Sequence, residues 1–261
     1  MGVRRKTYSY PRNGIIEVEE FHDGNYGAPG KRRKEKRKPS GEDRIQANLR
    51  EKARRCRNRL LTYFSSGDII ATWTYRMDER PEDMAGALKD FQKAIRRVKK
   101  EYRGRGHELR WIRNIERGTK GGWHIHLIVN RIAETASILQ EAWEHGGTWT
   151  DRIGRCDKFS PDFKRLASYL TKDEHYQETR KDGSKALPRI RESSYSTSRN
   201  MPLTQPKIDH LIRWKKEVHP KKGYSLLEIE EGINPMTGFS YRRYSMIRKE
   251  GEDEDGSVPG S

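Results

Sequence analysis

The 261-residue sequence predicts an α+β fold with a central antiparallel sheet and flanking helices. Three observations indicate this class. Short runs rich in β-branched and aromatic residues alternate with longer segments of helical periodicity. Two of those runs, "HELRWIRNIERG" and "WHIHLIVNR", are separated only by the turn-forming segment "TKGG", which predicts a hairpin. The predicted order is strand, helix, two paired strands, helix, helix and strand, which is typical of an antiparallel sheet with its helices mostly on one face.

The first two helices and the strand between them follow from spacing and from end signals. A helix is predicted from Ser40 to Phe64, because Ser40 and Asp43 match a capping pattern and apolar residues recur every three or four positions. The segment "GDIIATWTYRM" predicts the first strand. The second helix begins at Pro81 and ends at Gly104. Its predicted buried stripe consists of Met84, Leu88, Phe91, Ile95, Val98 and Tyr102.

Three further elements follow the hairpin. The segment "ETASILQEAWEHG" predicts a third helix. The segment "SPDFKRLASYLTKDEHYQ" predicts a fourth, with Ser160 as its cap and Pro161 at the first helical position. The segment "RESSYSTSRNMP" predicts a short strand that ends before Pro202.

Composition divides the chain into four parts. Residues 1–40 are rich in glycine, proline and charge, and they predict a basic, poorly ordered arm. Residues 41–64 predict a basic amphipathic helix, and residues 65–205 form the main domain. Residues 206–261 are predicted to be a C-terminal extension that ends in an acidic disordered tail.

The charge of the chain predicts a polyanionic partner. Hydrophobic residues make up 32% and charged residues 36% of the sequence, and the formal net charge is +17. Residues 31–59 contain 14 Lys or Arg against 4 Asp or Glu, a net charge of +10. This clustering favours a segment that binds phosphates, with a solvated tail as the alternative. Nucleic acid is the first partner expected, and an anionic membrane surface is the second.

The sequence also predicts a compartment. No apolar stretch approaches the length of a membrane span, and the N-terminal residues lack the apolar run of a secretion signal. Cys56 and Cys156 predict neither a disulfide framework nor a cysteine-rich zinc site. We therefore expect a cytoplasmic protein with no membrane partner.

Two histidines lie one residue apart in the strand "WHIHLIVN". Alternate side chains of a strand share a face, so His124 and His126 are predicted to stand side by side, about 7 Å apart, on the face away from the core. The hairpin should place Glu116 beside His124. Two imidazoles and one carboxylate predict a divalent metal site with open positions for a substrate oxygen or water. The alternative is a chance pair of polar surface residues.

A tyrosine and a lysine share the cationic face of the predicted fourth helix. Tyr169 and Lys172 are three residues apart, so their side chains should be neighbours. An ammonium near a phenol stabilises its anion, which would help Tyr169 to act as a nucleophile at a phosphate. The alternative is a surface tyrosine on an ordinary amphipathic helix.

Four segments together resemble one family. "WHIHLIVN" is similar to the histidine–hydrophobe–histidine motif of HUH endonucleases, the replication initiators (Rep proteins) and relaxases of rolling-circle elements. "ASYLTK" resembles their downstream Tyr-x-x-Lys motif, "IIATWTY" their first strand motif, and "IERG" their carboxylate-bearing segment. The resemblance covers roughly residues 65–200 and is strongest to initiators of phage and plasmid type, including gene II-like proteins of filamentous phages.

The resemblance implies an HUH/Rep-type fold with a ferredoxin-like or RRM-like core, and a reaction. Glu116, His124 and His126 would hold Mg²⁺ or Mn²⁺ against the scissile phosphate of single-stranded or hairpin origin DNA. Tyr169 would attack that phosphate and form a 5′-phosphotyrosine, and Lys172 would orient the phosphate or balance its charge. The nick would initiate rolling-circle replication in a bacterial host cell. No nucleotide-binding loop is evident in the sequence, so a host helicase and polymerase are the implied partners.

Several alternatives remain open at the level of sequence. The same chemistry serves relaxases and transposases in DNA mobilisation. A non-catalytic nucleic-acid-binding regulator would carry a decayed motif, and the complete set of Glu116, His124, His126 and Tyr169 argues against decay. A metal oxygenase or hydrolase acting on a small molecule would leave the net charge and Tyr169 unexplained. Tyr176 is considered as a second nucleophile and left out of the predicted site. Five aromatic residues are predicted to stack on bases or, for most of them, to lie in the core: Trp73, Tyr75, Trp111, Trp123 and Trp143.

Overall fold

The fold is α+β, as predicted, with two antiparallel five-stranded sheets and four α-helices in the part of the chain that the structure describes. This computed structural model describes residues 2–22, 38–154, 162–173, 184, 187, 189–212, 216–234 and 238–249. The strands are β1 Val3–Tyr10, β2 Ile15–His22, β3 Ile69–Thr74, β4 Trp111–Gly118, β5 Trp123–Val129, β6 Thr148–Arg152, β7 Ile190–Thr197, β8 Lys207–Leu211, β9 Tyr224–Ile233 and β10 Ser240–Arg248. The helices are α1 Gly41–Tyr63, α2 Met84–Gly104, α3 Thr135–Ala142 and α4 Lys164–Leu170.

The chain forms two compact units. The central unit comprises residues 41–203, and the terminal unit comprises residues 1–40 with 204–261. In the central unit the strand order is β6-β3-β5-β4-β7, and every neighbouring pair is antiparallel. Within the described residues, no helix is both long enough and apolar enough to cross a bilayer.

One face of the central sheet packs on α2 and α3. Helix α2 begins after Asp83, whose carboxylate accepts a 2.8 Å hydrogen bond from the backbone N–H of Gly86 and so caps the first turn. The predicted stripe of α2 is confirmed. Phe91, Ile95, Val98 and Tyr102 are buried against the sheet, and Met84 and Leu88 pack against the same cluster partly buried. The core on this face includes Ala71, Trp73, Ile115, Ile125, Leu127, Phe91, Ile95, Val98, Tyr102, Ile138 and Leu139.

Helices α1 and α4 cover part of the opposite face, so the prediction of helices mostly on one face is wrong. Ile70, Ile112 and Ile128 point away from α2 and α3 and are nevertheless buried. Arg57 of α1 donates to the backbone oxygen of Asp162, 2.7 Å away, and to its carboxylate at 3.0 Å, which ties α1 to the start of α4. Residues 127–129 are consecutive, apolar and buried, which is typical of a strand covered on both faces. This run of the sequence therefore favours helices on both faces of the sheet.

The described residues 2–22 contradict the prediction of a poorly ordered arm for their part of residues 1–40, and residues 23–37 lie outside the described residues. Strands β1 and β2 lie in this segment and pair with strands from the predicted C-terminal extension, in the order β8-β1-β2-β10-β9. Composition was misleading because the charges compensate one another across strands. Glu20 is 1% exposed and lies 2.6 Å from a guanidinium nitrogen of Arg5 and 2.6 Å from one of Arg242.

Other boundaries also differ from the predictions. Strand β6 was not predicted, although it completes one edge of the central sheet. Helix α4 begins at Lys164 and ends at Leu170, whereas the sequence predicted a longer helix. The basic residues 31–37, the predicted cap at 160–161, Tyr176 and the acidic tail lie outside the described residues.

Candidate active site

The strand register of the central sheet gathers polar side chains into two rows on the face that α1 and α4 partly cover. In the first row, β6, β3, β5, β4 and β7 contribute Trp149, Thr72, His126, Asn114 and Tyr195 in that order. In the second row, β3, β5, β4 and β7 contribute Thr74, His124, Glu116 and Ser193. The predicted placement of Glu116 directly opposite His124 is therefore confirmed.

The two imidazoles lie side by side, as the alternation of the strand predicted. The ring centroids of His124 and His126 are 6.2 Å apart and their planes differ by 7°. The side chains of His126 and Glu116 are 12% and 13% exposed, and His126 Nε2 lies 3.5 Å from Glu116 Oε2. The carboxylate and one imidazole are thus neighbours in a partly buried pocket, and the exposed His124 lies at its open side.

Tyr169 points into this pocket from α4. Its hydroxyl oxygen lies 3.1 Å from Nδ1 and 3.3 Å from Nε2 of His126, and the two rings meet edge to face with centroids 5.0 Å apart. Thr72 Oγ1 lies 3.2 Å from the same Nδ1 and fixes the ring from the β3 side. Glu116, both histidines and the tyrosine, which the sequence selected separately, therefore lie at one site.

The side chains of Lys172 and Tyr169 are neighbours, as their spacing predicted. The Nζ of Lys172 is 4.3 Å from the centroid of the tyrosine ring, so the ammonium lies over the ring face. Burial, and then the negative charge of Glu116, raise the pKa of Tyr169 to about 12. Burial and the Glu116 charge thus determine the direction of the shift, and the stabilisation of a phenolate by Lys172 stays a prediction.

Asn114 connects the carboxylate to the tyrosine-bearing segment, and the sequence did not single it out. Its side chain is buried, and Nδ2 donates to Glu116 Oε1 at 2.9 Å and to the backbone oxygen of Lys172 at 3.0 Å. The opposite orientation of the amide would place Oδ1 against two acceptors, so the hydrogen bonds fix the assignment. The available signal was its position two residues before Glu116, on the same face of the strand.

The surroundings of His124 shift its imidazole toward the neutral form. Partial removal of water from the imidazole lowers the pKa of His124, because it disfavours the charged form. A positive charge on His126 would lower that pKa further. Glu116 opposes this shift by favouring the imidazolium, and the nearby Arg80 adds to the lowering. A neutral imidazole is the ligand form, because metal binding requires an unprotonated nitrogen.

The ligand atoms that Glu116, His124 and His126 offer suit a divalent cation, although the three side chains do not converge on one point. Among the described residues, no three His, Cys, Asp or Glu side chains already converge closely enough to enclose an ion. Glu116, His124 and His126 nevertheless offer one carboxylate and two imidazoles on one sheet face, a set that leaves coordination positions for a substrate. Asn114 holds the carboxylate from behind, as a hydrogen-bonding partner of a metal ligand does.

The predicted aromatic residues belong to the core. Trp73, Tyr75, Trp123 and Trp143 are buried in the cluster beneath α2 and α3, and Trp111 packs against it. The planes of Trp73 and Trp143 stack with centroids 4.9 Å apart. The preference for core over base stacking is confirmed for these five.

Residues 68–175 match the family model described as replication-associated protein ORF2/G2P. The matched segment covers less than half of the chain, yet it contains Glu116, His124, His126, Tyr169 and Lys172. The match supports a replication-associated protein and a role in the initiation of replication. No curated protein and no solved structure matches the chain.

Proposed function

We propose that the central unit is an HUH-type endonuclease that nicks and rejoins single-stranded DNA to initiate rolling-circle replication. The observation that carries the proposal is the 3.1 Å approach of the Tyr169 hydroxyl to His126, in a pocket that also contains Glu116. A phenol nucleophile beside imidazole and carboxylate groups that can hold a divalent ion is an arrangement suited to phosphoryl transfer to tyrosine.

The proposed reaction exchanges one phosphodiester for another. The Tyr169 oxygen attacks the scissile phosphorus, and the bond from that phosphorus to the 3′ oxygen breaks. The phenol gives up one proton to solvent as it attacks, and the departing 3′ oxygen takes up one proton from solvent, so the exchange is balanced in protons. His126 lies 3.1 Å from the phenol oxygen and positions it. The products are a 5′-phosphotyrosine and a free 3′-OH that primes synthesis. Attack by a 3′-OH reverses the reaction and rejoins the strand without an external energy source.

Each neighbour has a distinct proposed role. A divalent ion, Mg²⁺ or Mn²⁺, held by Glu116, His124 and His126 would polarise the phosphate and offset its charge. Asn114 fixes the carboxylate and the Lys172 carbonyl in one position, which limits the freedom of the tyrosine relative to the ligands. The Lys172 ammonium lies over the tyrosine ring, where it can contribute positive charge toward the incoming phosphate.

The charge of the surface fits a single-stranded DNA substrate. Arg44, Arg50 and Arg55 of α1 and Lys99 and Lys100 of α2 are exposed, and the chain carries a net charge of +17. Such a surface binds phosphates without reading sequence. We further propose that a host helicase and polymerase act with the protein in the cytoplasm of a bacterial cell, which are the partners and the compartment that the resemblance to rolling-circle initiators implies.

The test is covalent capture of DNA. The purified chain is incubated with single-stranded oligonucleotides that tile the DNA flanking its gene, with Mn²⁺ or Mg²⁺, and adducts are resolved under denaturing conditions. We expect an adduct whose peptide map places the DNA on Tyr169. Tyr169→Phe should bind the oligonucleotide and form no adduct.

The matched control is Tyr63→Phe, which removes a phenol hydroxyl whose one hydrogen bond within the described residues is to the backbone oxygen of Pro202, 2.9 Å away. It should form the adduct in full yield. An adduct that persists in Tyr169→Phe would move the nucleophile elsewhere. Binding without any adduct across the tiled set would overturn the enzymatic proposal and favour a non-catalytic DNA-binding protein.

A further inference from the structure

Trp149 has a position that core packing does not explain. It lies on β6, an edge strand of the central sheet, and is 55% exposed. Of the other tryptophans that the structure describes, Trp73, Trp123 and Trp143 are buried and Trp111 is half-buried. An exposed indole presents a large, rigid aromatic face that is available to a ligand outside the fold, and its position relative to the candidate active site decides whether that ligand can be the substrate.

The register relates Trp149 to the candidate active site. Trp149 pairs with Thr72 of β3, and Thr72 pairs with His126 of β5. Residues paired across adjacent strands point to the same face, so the indole stands on the face that carries His126. Two strand spacings separate them, about 10 Å. That is a distance over which a single strand bound at His126 extends within a few nucleotides.

The opposite end of the same row is closed. Asn114 is buried beneath the Lys172 carbonyl, which accepts its hydrogen bond. Beyond it, the Nζ of Lys52 in α1 lies 5.7 Å from the centroid of the Tyr195 ring. A strand whose phosphate lies at His126 cannot continue toward β7 through these side chains. The accessible directions are over β6, where Trp149 stands, and past the exposed His124.

The edge strand is anchored at both ends, so the indole has a rigid base. At one end, the backbone N–H of Thr74 donates to the oxygen of Gly147 at 2.9 Å. At the other, the N–H of Ile153 donates to the oxygen of Asp68 at 2.7 Å. Gly146 allows the close approach of the two strands, because a Cβ there would lie 2.2 Å from the Thr74 oxygen.

From these observations, and resting on the proposed function, we propose that Trp149 is a stacking platform for a base of the single strand that flanks the scissile phosphate. Every base has a π-face, so the contact tolerates any sequence, while the basic surface holds the backbone. The strand would pass from Tyr169 across Thr72 and place one base on the indole. Trp149 thereby selects unpaired DNA, because bases within a duplex are already stacked on their neighbours.

Binding is measured without chemistry, so that the result does not depend on nicking. The full chain, with a chelator present, is titrated into a fluorescently labelled oligothymidine, and anisotropy gives the affinity. Trp149→Ala should weaken binding by about 5- to 150-fold, the range for loss of one aromatic stack. Trp149→Phe should lose far less, and DNA should quench tryptophan fluorescence in the wild-type chain more than in Trp149→Phe.

Two comparisons separate stacking from other causes. Ile208→Ala truncates another exposed apolar side chain on an edge strand, β8, and should leave DNA affinity unchanged. An abasic oligomer lacks bases and should bind the wild type and Trp149→Ala equally. Wild-type affinity in Trp149→Ala, or an equal loss on the abasic oligomer, would overturn the proposal. It would also be overturned if Trp149→Ala abolished self-association in sedimentation while its DNA affinity was unchanged. Failure to form the tyrosine adduct bears on the nicking proposal alone.

Discussion

Replacing Asn114 with alanine should separate the geometry of the site from the stability of the fold. The substitution removes two hydrogen bonds, a neutral one to the Lys172 carbonyl and one to the Glu116 carboxylate. These are worth about 1 and about 1.5–3 kcal/mol respectively. It also removes Oδ1, which is buried and accepts no hydrogen bond from the described residues, and this returns about 1–3 kcal/mol. The losses sum to about 2.5–4 kcal/mol, so with the return of about 1–3 kcal/mol we expect a net loss of about 0–3 kcal/mol, centred near 1 kcal/mol.

The expected effect on the reaction is larger than the effect on stability. Without Asn114, Glu116 can rotate away from His126, and the segment that follows Tyr169 loses its attachment to β4. A displacement of about 1 Å in a reacting group costs roughly 100-fold in rate. Loss of a group that orients a metal ligand costs about 10- to 100-fold in metal affinity. Single-turnover adduct formation should therefore slow by roughly 100-fold at saturating Mn²⁺, and half-saturation should require more metal.

Asn130→Ala is the matched control. Its side chain also makes two hydrogen bonds, donating to the Glu108 oxygen at 3.0 Å and accepting from the Arg110 N–H at 2.7 Å, beyond the far end of β5 from His124. Urea unfolding should show a comparable destabilisation, while the adduct rate per folded molecule stays at the wild-type value. If Asn114→Ala and Asn130→Ala react at the same rate, Asn114 stabilises the fold without positioning the site, and the reasoning fails.

Two further measurements test the electrostatics and the packing. In metal-free protein, a spectrophotometric difference titration against Tyr169→Phe should give the Tyr169 phenol a pKa near 12, and Glu116→Gln should lower that pKa because a nearby negative charge is removed. The folded state favours the neutral phenol, so the contribution of Tyr169 to the free energy of unfolding should be present below about pH 10 and be lost as the pH rises through about 12. A pKa near 10 for Tyr169 in the folded protein would contradict the burial argument. Gly146→Ala should destabilise the chain by about 1–3 kcal/mol in urea unfolding, because its Cβ would lie 2.2 Å from the Thr74 oxygen. Gly104→Ala, whose Cβ meets nothing within 4 Å at the end of α2, should be neutral or stabilising, and equal losses in the two variants would refute the crowding at β6.

The site was predictable where strand geometry alone determines position. The alternation of a strand fixes His124 and His126 on one face, and a short turn fixes Glu116 opposite His124. The helix face that carries Tyr169 also followed from periodicity. The pKa of Tyr169 could not be predicted in this way. It depends on the burial of the phenol and on the charge of Glu116, and only the packed structure defines both.

Features that depend on contacts between distant segments could not be predicted. Asn114 matters because the segment after α4 brings the Lys172 carbonyl to it. Trp149 was missed because β6 is a short, polar strand with weak periodicity, recognisable only from its pairing with β3. The terminal sheet could not be predicted because a high content of charged residues is also typical of disordered segments. The ion pairs that make this charge compatible with a sheet, such as Glu20 with Arg242 on the neighbouring strand, join residues far apart in the sequence.

The pairing of β2 with β10 sets an order of events during synthesis. Glu20 and Arg242 are separated by 222 positions, so the hydrogen bonds between these strands cannot form until almost the whole chain has left the ribosome. At about 5–20 residues per second, β2 waits roughly 11–44 s for its partner. The central unit is translated in that interval and is free to fold first. A premature stop before β10 would therefore release a chain with all strands of the central sheet but with β2 lacking its β10 partner, and such an exposed strand edge is prone to aggregate.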